Sequence, residues 1–365
     1  MEIIKFCRKN PVMTTSFIIA VITSFIVPPD KAYLGYIDVK TIVCLFIVLA
    51  VVCALSDADF FYVMAQKIVA LFGTTRNCII ALVLISLIGS MLITNDTALL
   101  TFLPLGYFVL STTGREKHLA FTFIMQTLAA NLGGMLTPFG NPQNLYLYTS
   151  FNIPTAEFLH IMLPPFIVSV VLILICCMFV KNEPMEIVSE PRALDKKRTA
   201  LFLALFVLAV LVVLRIVNYW LGFAVITLVL FFVDREALKK LDYTLMATFA
   251  FFFIFAGNMA RIDAVQNLFS SLLEKNTVLV SALSCQIISN VPAAILLSQF
   301  TENYAGLLVG VNIGGVGTII ASLASLITLN EYGKHVQGGG KEYLLKFSAY
   351  NFAFLAILIF AMQIL

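Results

Sequence analysis

Two stretches of the sequence repeat the same order of small and polar residues. Residues 130–145 read A-N-L-G-G-M-L-T-P-F-G-N-P-Q-N-L, and residues 311–326 read V-N-I-G-G-V-G-T-I-I-A-S-L-A-S-L. Each stretch interrupts a long apolar run, which predicts two copies of one broken membrane helix. The residues that align between the copies are Asn131 with Asn312, Gly133-Gly134 with Gly314-Gly315, and Thr137 with Thr318.

The composition indicates that lipid surrounds most of the chain. Of the 365 residues, 61% are apolar and 12% are charged, whereas soluble domains carry about 45–50% apolar and about 25% charged residues. Apolar runs recur from end to end, so we predict a single all-α polytopic membrane domain. The net charge of +3 is small, and without a basic stripe no nucleic-acid partner is expected.

The spans are predicted from the lengths of the apolar runs, because a helix needs about 20 apolar residues to cross a bilayer. The first half, 1–181, contains predicted spans at 11–28, 38–56, 118–150 and 157–180. The polar segment 182–198 is predicted to be a cytoplasmic linker. The second half, 199–365, contains predicted spans at 199–217, 219–233, 243–260, 303–328 and 343–365.

Two further apolar segments, 77–112 and 276–302, break in the middle at polar clusters. We interpret both as re-entrant hairpins that enter and leave the membrane on the same side. Their tips are Thr94-Asn95-Asp96-Thr97 and Ser289-Asn290-Val291-Pro292. The two halves then have the same order of parts, supported by the pairs Asn95 with Asn290 and Ile37-Asp38 with Leu241-Asp242.

The distribution of positive charge favours this layout. With a cytoplasmic N-terminus and hairpins that do not cross, 18 of the 23 Lys and Arg residues lie on the cytoplasmic side. The exceptions are Lys31, Lys40, Arg215, Arg261 and Lys275. The two halves then run in opposite directions, which predicts inverted repeats with a substrate site at the bilayer midplane. We expect a multi-pass protein of the cell (inner) membrane.

Helix breaks of this kind suit the binding of ions. Freed carbonyls with Asn and Thr side chains offer oxygen ligands to a hard cation such as sodium, and helix N-termini suit an anion. Taken alone, Gly-Gly pairs often only allow helices to pack closely. Asp96 is the one acid at a predicted tip, and we expect it to bind the coupling cation or carry a proton. Its alternative role is a helix N-cap.

At these motifs the chain resembles the ion transporter superfamily, within its citrate-transporter-like and arsenite-permease branch. The resemblance implies a homodimer in which a scaffold domain holds a transport domain that moves like an elevator. It also implies sites at the hairpin tips and interrupted helices. The expected substrate-binding residues are Asn95, Thr97, Asn144, Ser289, Asn290, Ser322 and Ser325. The expected cation-binding residues are Thr94, Asp96, Asn131, Gly133, Thr137, Gly140, Asn141, Asn312, Gly315 and Thr318.

The tips depart from one branch of that superfamily. Its divalent-anion symporters carry Ser-Asn-Thr at both tips, whereas this chain has Thr94-Asn95-Asp96 and Ser289-Asn290-Val291. The second interrupted helix also lacks the proline-rich break of the first. Both departures are closer to arsenite permeases and sodium–proton antiporters.

The sequence as a whole predicts a secondary active transporter. We expect a small anion as substrate, a di- or tricarboxylate, coupled to sodium or protons and with no other cofactor. Arsenite efflux or sodium–proton exchange is the alternative within transport, and an ion channel is the alternative of another class. An enzyme is not expected, because G-x-S-x-G, H-E-x-x-H and a Walker loop are absent. The scattered cysteines and histidines indicate neither a disulfide framework nor a zinc site.

Overall fold

The chain is helical throughout the part that a computed structural model describes, residues 10–185 and 194–364. The first half contains α1 Pro11–Ile26, α2 Val39–Asp57, α3 Phe60–Val69, α4 Thr75–Leu92, α5 Asn95–Thr112, α6 Leu119–Gly133, α7 Pro142–Ser150 and α8 Thr155–Met178. The second half contains α9 Lys196–Val213, α10 Tyr219–Val233, α11 Arg235–Lys239, α12 Tyr243–Ala260, α13 Asp263–Lys275, α14 Thr277–Ile288, α15 Asn290–Leu297, α16 Tyr304–Ile313, α17 Leu323–His335 and α18 Gly340–Ile364. Residues 1–9 at the predicted cytoplasmic N-terminus and 186–193 of the predicted linker lie outside the described residues.

Long apolar helices dominate these elements. Within the described ranges, six helical stretches are long and apolar enough to cross a membrane. They are Val39–Asp57, Thr75–Leu92, Glu116–Leu136, Thr155–Met178, Arg235–Ala260 and Gly340–Ile364. The same residues form no β-sheet, only an isolated bridge between Thr74 and Pro184. The prediction of an all-α polytopic membrane protein is therefore confirmed.

Each segment predicted to be a hairpin is a pair of helices that pack against each other. α4 packs on α5, and Ile93 and Thr94 connect them. α14 packs on α15, and Ser289 alone connects them. In both pairs the tip asparagine, Asn95 or Asn290, is the first residue of the second helix.

Both segments predicted to be interrupted helices are broken near their glycine pairs. α6 ends at Gly133, a short 3-10 turn covers Gly134–Leu136, and α7 begins at Pro142. In the second half, α16 ends at Ile313 and α17 begins only at Leu323. α17 continues to His335, beyond the sequence-based boundary at 328, because its last turns are polar and escape a criterion based on apolar runs.

The helices form two packing groups. In the scaffold group, α1 packs along α12, and α2 packs on α9 and α10. In the hairpin group, α4 packs on α6, α14 packs on α16, and α17 packs on α5 and α6. The groups meet where α7 packs on α2 and α15 packs on α12.

Ion pairs connect the ends of the scaffold helices. Arg261 Nη2 lies 2.8 Å from Asp30 Oδ2, and this hydrogen bond holds the pKa of Asp30 below its usual value. Lys240 Nζ lies 2.8 Å from Asp57 Oδ2, and the hydrogen bond to Asp57 raises the pKa of Lys240. The first pair joins the loop after α1 to the end of α12, and the second joins α2 to the segment after α11. Because both pairs are exposed, each stabilises the fold only slightly.

The two hairpin tips are held by equivalent backbone hydrogen bonds. Asn95 N donates to Gly140 O at 3.1 Å in the first half. In the second half, Asn290 N donates to Ala321 O at 2.9 Å. Gly140 and Ala321 occupy the same position in the two aligned stretches 130–145 and 311–326. Each tip is therefore fixed to the same point of its interrupted helix.

The aligned threonines make a second equivalent pair of contacts. Thr137 Oγ1 donates to Met91 O at 2.7 Å, and Thr318 Oγ1 donates to Gln286 O at 3.1 Å. Met91 and Gln286 stand at the same distance in sequence before their tip asparagines. The sequence repeat thus corresponds to repeated contacts between hairpin and interrupted helix, while the opposite orientation of the halves in the membrane remains a prediction.

Candidate functional site

A cavity of about 400 Å³ lies between the two hairpin tips and the scaffold group. The scaffold side is largely apolar and comes from α1 and α12, with Ile19, Leu245 and Phe252 among its residues. Among the described residues, Asp96 is the only charged side chain that lines this cavity. Most polar groups come from the tips and helix breaks and are Asn95, Asp96, Gln143, Ser289, Asn290 and Ser322, while Thr15 and Thr248 contribute hydroxyls from the scaffold side.

A network of buried amides lies behind the cavity and joins the two helix breaks. Asn312 Nδ2 donates to Leu308 O at 2.8 Å and to Asn144 Oδ1 at 2.6 Å. Asn312 Oδ1 accepts from Asn141 Nδ2 at 3.1 Å and from Gln143 Nε2 at 3.2 Å. The two asparagines that align in the sequence repeat are also connected, because Asn141 Nδ2 donates to the Asn131 carbonyl at 3.1 Å.

Backbone carbonyls determine which way these amides face. Leu308 O can only accept, so the atom that Asn312 turns toward it must be Nδ2, and its other atom must be the oxygen. Asn141 and Gln143 must then direct their NH2 groups at that oxygen. Their own oxygens, Asn141 Oδ1 and Gln143 Oε1, are consequently directed elsewhere.

At the first tip a hydroxyl, rather than a backbone carbonyl, contacts the amide of Asn131. Ser322 Oγ accepts from Ala324 N at 3.3 Å, so its proton is free to go to Asn131 Oδ1 at 2.9 Å. Asn131 Oδ1 also accepts from Asn95 Nδ2 at 2.9 Å. The oxygen of Asn95 is therefore left for the cavity, and one serine from the second break helps to orient the tip of the first hairpin.

Several acceptor oxygens at the first half of the site have no partner in the described residues. These buried atoms are Asn95 Oδ1, Asp96 Oδ1, Asn141 Oδ1 and Gln143 Oε1. A buried acceptor without a partner costs about 1–3 kcal/mol. Asp96 lies in the first turn of α5, and its Oδ1 accepts no backbone N–H there. The first half of the site consequently presents a concentration of oxygen that suits a cation or a hydrogen-bond donor.

The second tip has the opposite polarity. Asn290 Oδ1 accepts from Val291 N at 2.9 Å, so the NH2 group of Asn290 is left free. A Cβ atom at Gly315 would lie 3.0 Å from Asn290 Nδ2, so the glycine gives the amide its space. Ser289 Oγ lies beside it and donates to Ala321 O at 3.2 Å. The second tip therefore offers a donor to the cavity.

Further oxygens converge on Gly140, directly behind the first tip. A Cβ atom there would lie 2.7 Å from both Ser90 O and Thr137 Oγ1 and would also meet Gly134 O. A residue with a side chain would occupy the space that these oxygens share. The crowding explains why the residue that accepts from Asn95 N is a glycine.

The site residues predicted from the sequence form two sets, those that line the cavity and those that do not. Asn95, Asp96, Ser289, Asn290 and Ser322 line it. The remaining predicted residues do not line it, and most of them belong to the amide network or to the close contacts of hairpin and break. They are Thr94, Thr97, Asn131, Gly133, Thr137, Gly140, Asn141, Asn144, Asn312, Gly315, Thr318 and Ser325.

Asn144 has a specific place behind the cavity. Its Nδ2 lies 3.1 Å from each of the carbonyl oxygens of Gly134, Met135 and Thr137. These carbonyls are released by the helix break. Asn144 thus stabilises the break itself, since released carbonyls in a membrane need donors.

Sequence reasoning missed two glutamines. Gln143 lines the cavity with a free oxygen, and its position between Pro142 and Asn144 in the break could have drawn attention to it. Gln286 lies in the first arm of the second hairpin, and its Nε2 donates to Gly314 O at 2.9 Å and Val316 O at 3.0 Å. No local signal marks Gln286, because its partners are distant in sequence.

Comparison with known proteins agrees with this architecture. A family model described as "Citrate transporter" matches residues 4–310. The chain belongs to the citrate transporter family. It is 34% identical over 305 residues to an uncharacterized transporter of Methanocaldococcus jannaschii, covering 83% of this chain and 84% of that protein. It is 28% identical over 313 residues to the inner membrane protein YbiR of Escherichia coli, covering 84% and 83% of the two chains.

Membership of the citrate transporter family, together with relatives named as transporters, supports a secondary transporter of anions with several membrane spans. The part matched by the citrate transporter model contains both hairpin tips and the first break, and it ends just before Asn312. The second break joins the site through the contacts of Asn312 and Ser322 described above.

Proposed function

We propose that this member of the citrate transporter family moves a small carboxylate across the cell (inner) membrane together with sodium or a proton. The observation that carries the proposal is the opposite polarity of the two tips. Free oxygens of Asn95 and Asp96 suit the coupling cation, whereas the free amide of Asn290 suits a carboxylate oxygen. The similarity to YbiR, which is named as an inner membrane protein, supports the location.

Asp96 supplies a physical reason for coupling. An ionised Asp96 in a largely apolar cavity repels a carboxylate, and the low local dielectric strengthens this repulsion. A sodium ion or a proton at the first tip removes the repulsion, so cation and anion bind more tightly together than separately. This mutual effect is the coupling free energy that a symporter requires.

The cavity also supports an assignment of the conformational state. It reaches Pro11 and Val12 at the start of α1 and Leu245 at the start of α12, ends that the predicted topology places at the cytoplasmic face. We therefore assign the structure to an inward-facing state. Inverted repeats, a scaffold group that stays fixed in a homodimer, and a hairpin group that moves as an elevator belong to the same proposal.

The proposal is tested by uptake of radiolabelled citrate, succinate and sulfate into proteoliposomes under separately imposed sodium and proton gradients. We expect saturable uptake that one gradient drives, and its loss in Asn290→Ala. Ser284→Ala is the control, because Ser284 lies in the first arm of the same hairpin, outside the tip cavity, and its hydroxyl donates only to Val280 O of its own helix. Folded wild-type protein that takes up none of these anions under either gradient would contradict the proposal.

Replacement of Asp96 tests the coupling role separately. Asp96→Asn keeps the size of the side chain and removes its charge, so we expect uptake that no longer responds to the driving cation gradient. Asp96→Glu should retain part of the response. A gradient response equal to wild type in Asp96→Asn would remove Asp96 from the mechanism.

One observation favours a second candidate function. No Lys or Arg side chain of the described residues lines the tip cavity, and the one charged group is an acid. Sodium–proton exchange at Asp96, or efflux of a neutral hydroxyl compound such as arsenous acid, would suit this lining. Sodium-driven proton flux or arsenite flux without any carboxylate transport would establish that alternative.

A further inference from the structure

A second cavity, of about 320 Å³, lies between the scaffold group and the hairpin group. In the predicted topology its residues lie at the outer ends of the helices, opposite the cytoplasmic opening of the tip cavity. We call it the outer cavity. Residues that line it include Tyr36, Lys40, Tyr146, Ser150, Phe253 and Gln299.

The contacts that close the outer cavity come from both packing groups. Tyr146 of α7 faces Phe253 of α12, with ring centroids 5.4 Å apart. The Tyr146 hydroxyl lies 2.7 Å from Ser298 Oγ, just after the second hairpin. Tyr36 packs directly on Gly257, where a Cβ atom would lie 2.5 Å from Cγ of the tyrosine ring. The outer cavity is thus formed where the hairpin group meets the scaffold group.

Lys40 is the one basic side chain that lines this cavity within the described residues. Its ammonium group makes no ion pair or hydrogen bond with any described residue. Asp38 on the same rim is already engaged, since its Oδ1 accepts from Thr41 N at 3.0 Å and its Oδ2 from Thr41 Oγ1 at 2.5 Å. Lys40 therefore lines the cavity without an ion pair to any described residue, and the Asp38 carboxylate that shares the rim is held by Thr41.

Neutral polar groups line the same cavity as Lys40. Ser150 and Gln299 are exposed, and both line the outer cavity with side chains that can donate hydrogen bonds. An ammonium group with neighbouring hydroxyl and amide donors is a set that recognises a carboxylate. The tip cavity, in contrast, offers an anion no basic side chain from the described residues.

From this contrast we infer that the outer cavity is an access site, in which Lys40 captures a small carboxylate from outside before it reaches the hairpin tips. The inference rests on the proposed carboxylate transport. In this inference Lys40 attracts the anion, while Asp96 couples anion binding to cation binding. Since Lys40 is partly exposed, its attraction acts mainly on capture and weakens as salt increases.

Transport kinetics from the two sides of the membrane test the access site. Lys40→Gln should raise the KM for uptake of external succinate or citrate by about three- to tenfold at low ionic strength. The maximal rate of uptake and the KM for efflux from preloaded vesicles should stay at wild-type values. The maximal rate of efflux should fall by the factor by which the KM for uptake rises, because a substitution cannot change the equilibrium of transport. The increase should shrink as salt is added, and Lys40→Arg should restore most of the affinity.

Lys31→Gln is the matched control, because Lys31 is an exposed lysine on the same predicted side that does not line the cavity. Its KM should stay within about twofold of wild type. Equal KM values for Lys40→Gln and Lys31→Gln would overturn the access site. So would a Lys40→Gln increase that is the same for uptake and efflux, because the lysine would then act on the transport site itself.

A binding measurement keeps the inference testable without transport. Ser150→Cys places a thiol in the outer cavity, where a membrane-impermeant maleimide can react with it. Citrate or succinate should slow this labelling and so protect the thiol. In the double variant that also carries Lys40→Gln, neither anion should protect it. Labelling that neither anion slows would overturn the access site even if the protein transports carboxylates. Protection without transport would support the access site while the proposed function fails.

Discussion

The two halves of the molecule build their breaks from the same backbone contacts but complete them with different side chains. In the first half, Asn144 in the broken helix supplies the NH2 group for the released carbonyls. In the second half, Gln286 in the hairpin supplies it. The NH2 group that stabilises the second break therefore comes from the hairpin, whereas the one that stabilises the first break comes from the broken helix itself. Movement of the second hairpin should consequently disturb its break more than movement of the first.

The tips differ in the same way. Each tip asparagine donates its backbone N–H to the equivalent carbonyl, yet Asn95 presents an oxygen to the cavity and Asn290 presents an amide NH2. An acid follows Asn95, and an apolar valine follows Asn290. In the proposed function, the same backbone arrangement therefore serves a cation in the first half and an anion in the second.

The largest expected effect on stability concerns the aligned asparagines. Asn312→Ala leaves the NH2 group of Gln143 and Asn144 Oδ1 without partners, and it removes one of the two acceptors of Asn141 Nδ2. Asn131→Ala leaves only Asn95 Nδ2 and the Ser322 hydroxyl unpaired. We expect a loss of about 2–4 kcal/mol for Asn312→Ala and about 1–2 kcal/mol for Asn131→Ala. Thermal unfolding in detergent, followed by circular dichroism, measures both. The reverse order would show that the second half does not anchor the network.

The next largest effect concerns the aligned glycines. A Cβ atom at Gly133 would lie 2.9 Å from Leu87 Cα and would also meet Leu87 O, and one at Gly314 would lie 2.8 Å from Ala282 Cα. Both obstacles are backbone, so the hairpins must shift. We expect either alanine substitution to cost about 1–3 kcal/mol, measured as a lower melting temperature. Gly333→Ala is the control, because nothing lies within 4 Å of its added Cβ. A neutral Gly314→Ala would mean that only the first hairpin is closely packed.

The sequence predicts those features of the architecture that neighbouring residues determine, and it predicts few of the contacts between residues that are far apart in the chain. The helix breaks and hairpin tips follow from local residues, since Asn, Gly and Pro in an apolar run rarely continue a membrane helix. The alignment of Asn131 with Asn312 also predicts that the two breaks meet. Neither the role of Gln286 nor the free oxygen of Gln143 follows from the sequence, because amide orientation is set by carbonyls that only the fold brings near.

A smaller effect tests the equivalence of the threonines. Thr137→Val and Thr318→Val keep the shape of the side chain and remove one hydrogen bond to a hairpin carbonyl. We expect each to cost about 0.5–1 kcal/mol, with the larger loss at Thr137, whose bond is shorter. The double variant should show the sum of the single effects, because the two contacts share no partner. A loss at Thr137 alone would confine this contact to the first half.

The smallest effect separates the tips by backbone conformation. Ser289 has φ 73° and ψ 158°, a region that is almost restricted to glycine, whereas Thr94 has φ −54° and ψ 150°. Strain of this kind costs about 1–3 kcal/mol. Ser289→Gly removes the strain but also loses the hydroxyl that donates to Ala321 O and loosens the unfolded chain. The relief of strain stabilises the variant, whereas the lost hydrogen bond and the looser unfolded chain destabilise it. The free energy of unfolding of Ser289→Gly should therefore stay within about 0.5 kcal/mol of wild type.

The comparison becomes decisive when glycine and alanine are placed at both tips. At Thr94, alanine should be more stable than glycine by about 0.5–1 kcal/mol, as at any ordinary backbone position. At Ser289 the order should reverse, because alanine loses the hydroxyl and keeps the strain. Melting temperatures of the four single variants, Thr94→Gly, Thr94→Ala, Ser289→Gly and Ser289→Ala, measure both differences. The same order at both tips would mean that Ser289 is relaxed. A reversal would show that the backbone is strained at Ser289, in the tip that binds the anion in our proposal. Release of this strain when a carboxylate binds would then favour movement of the second hairpin.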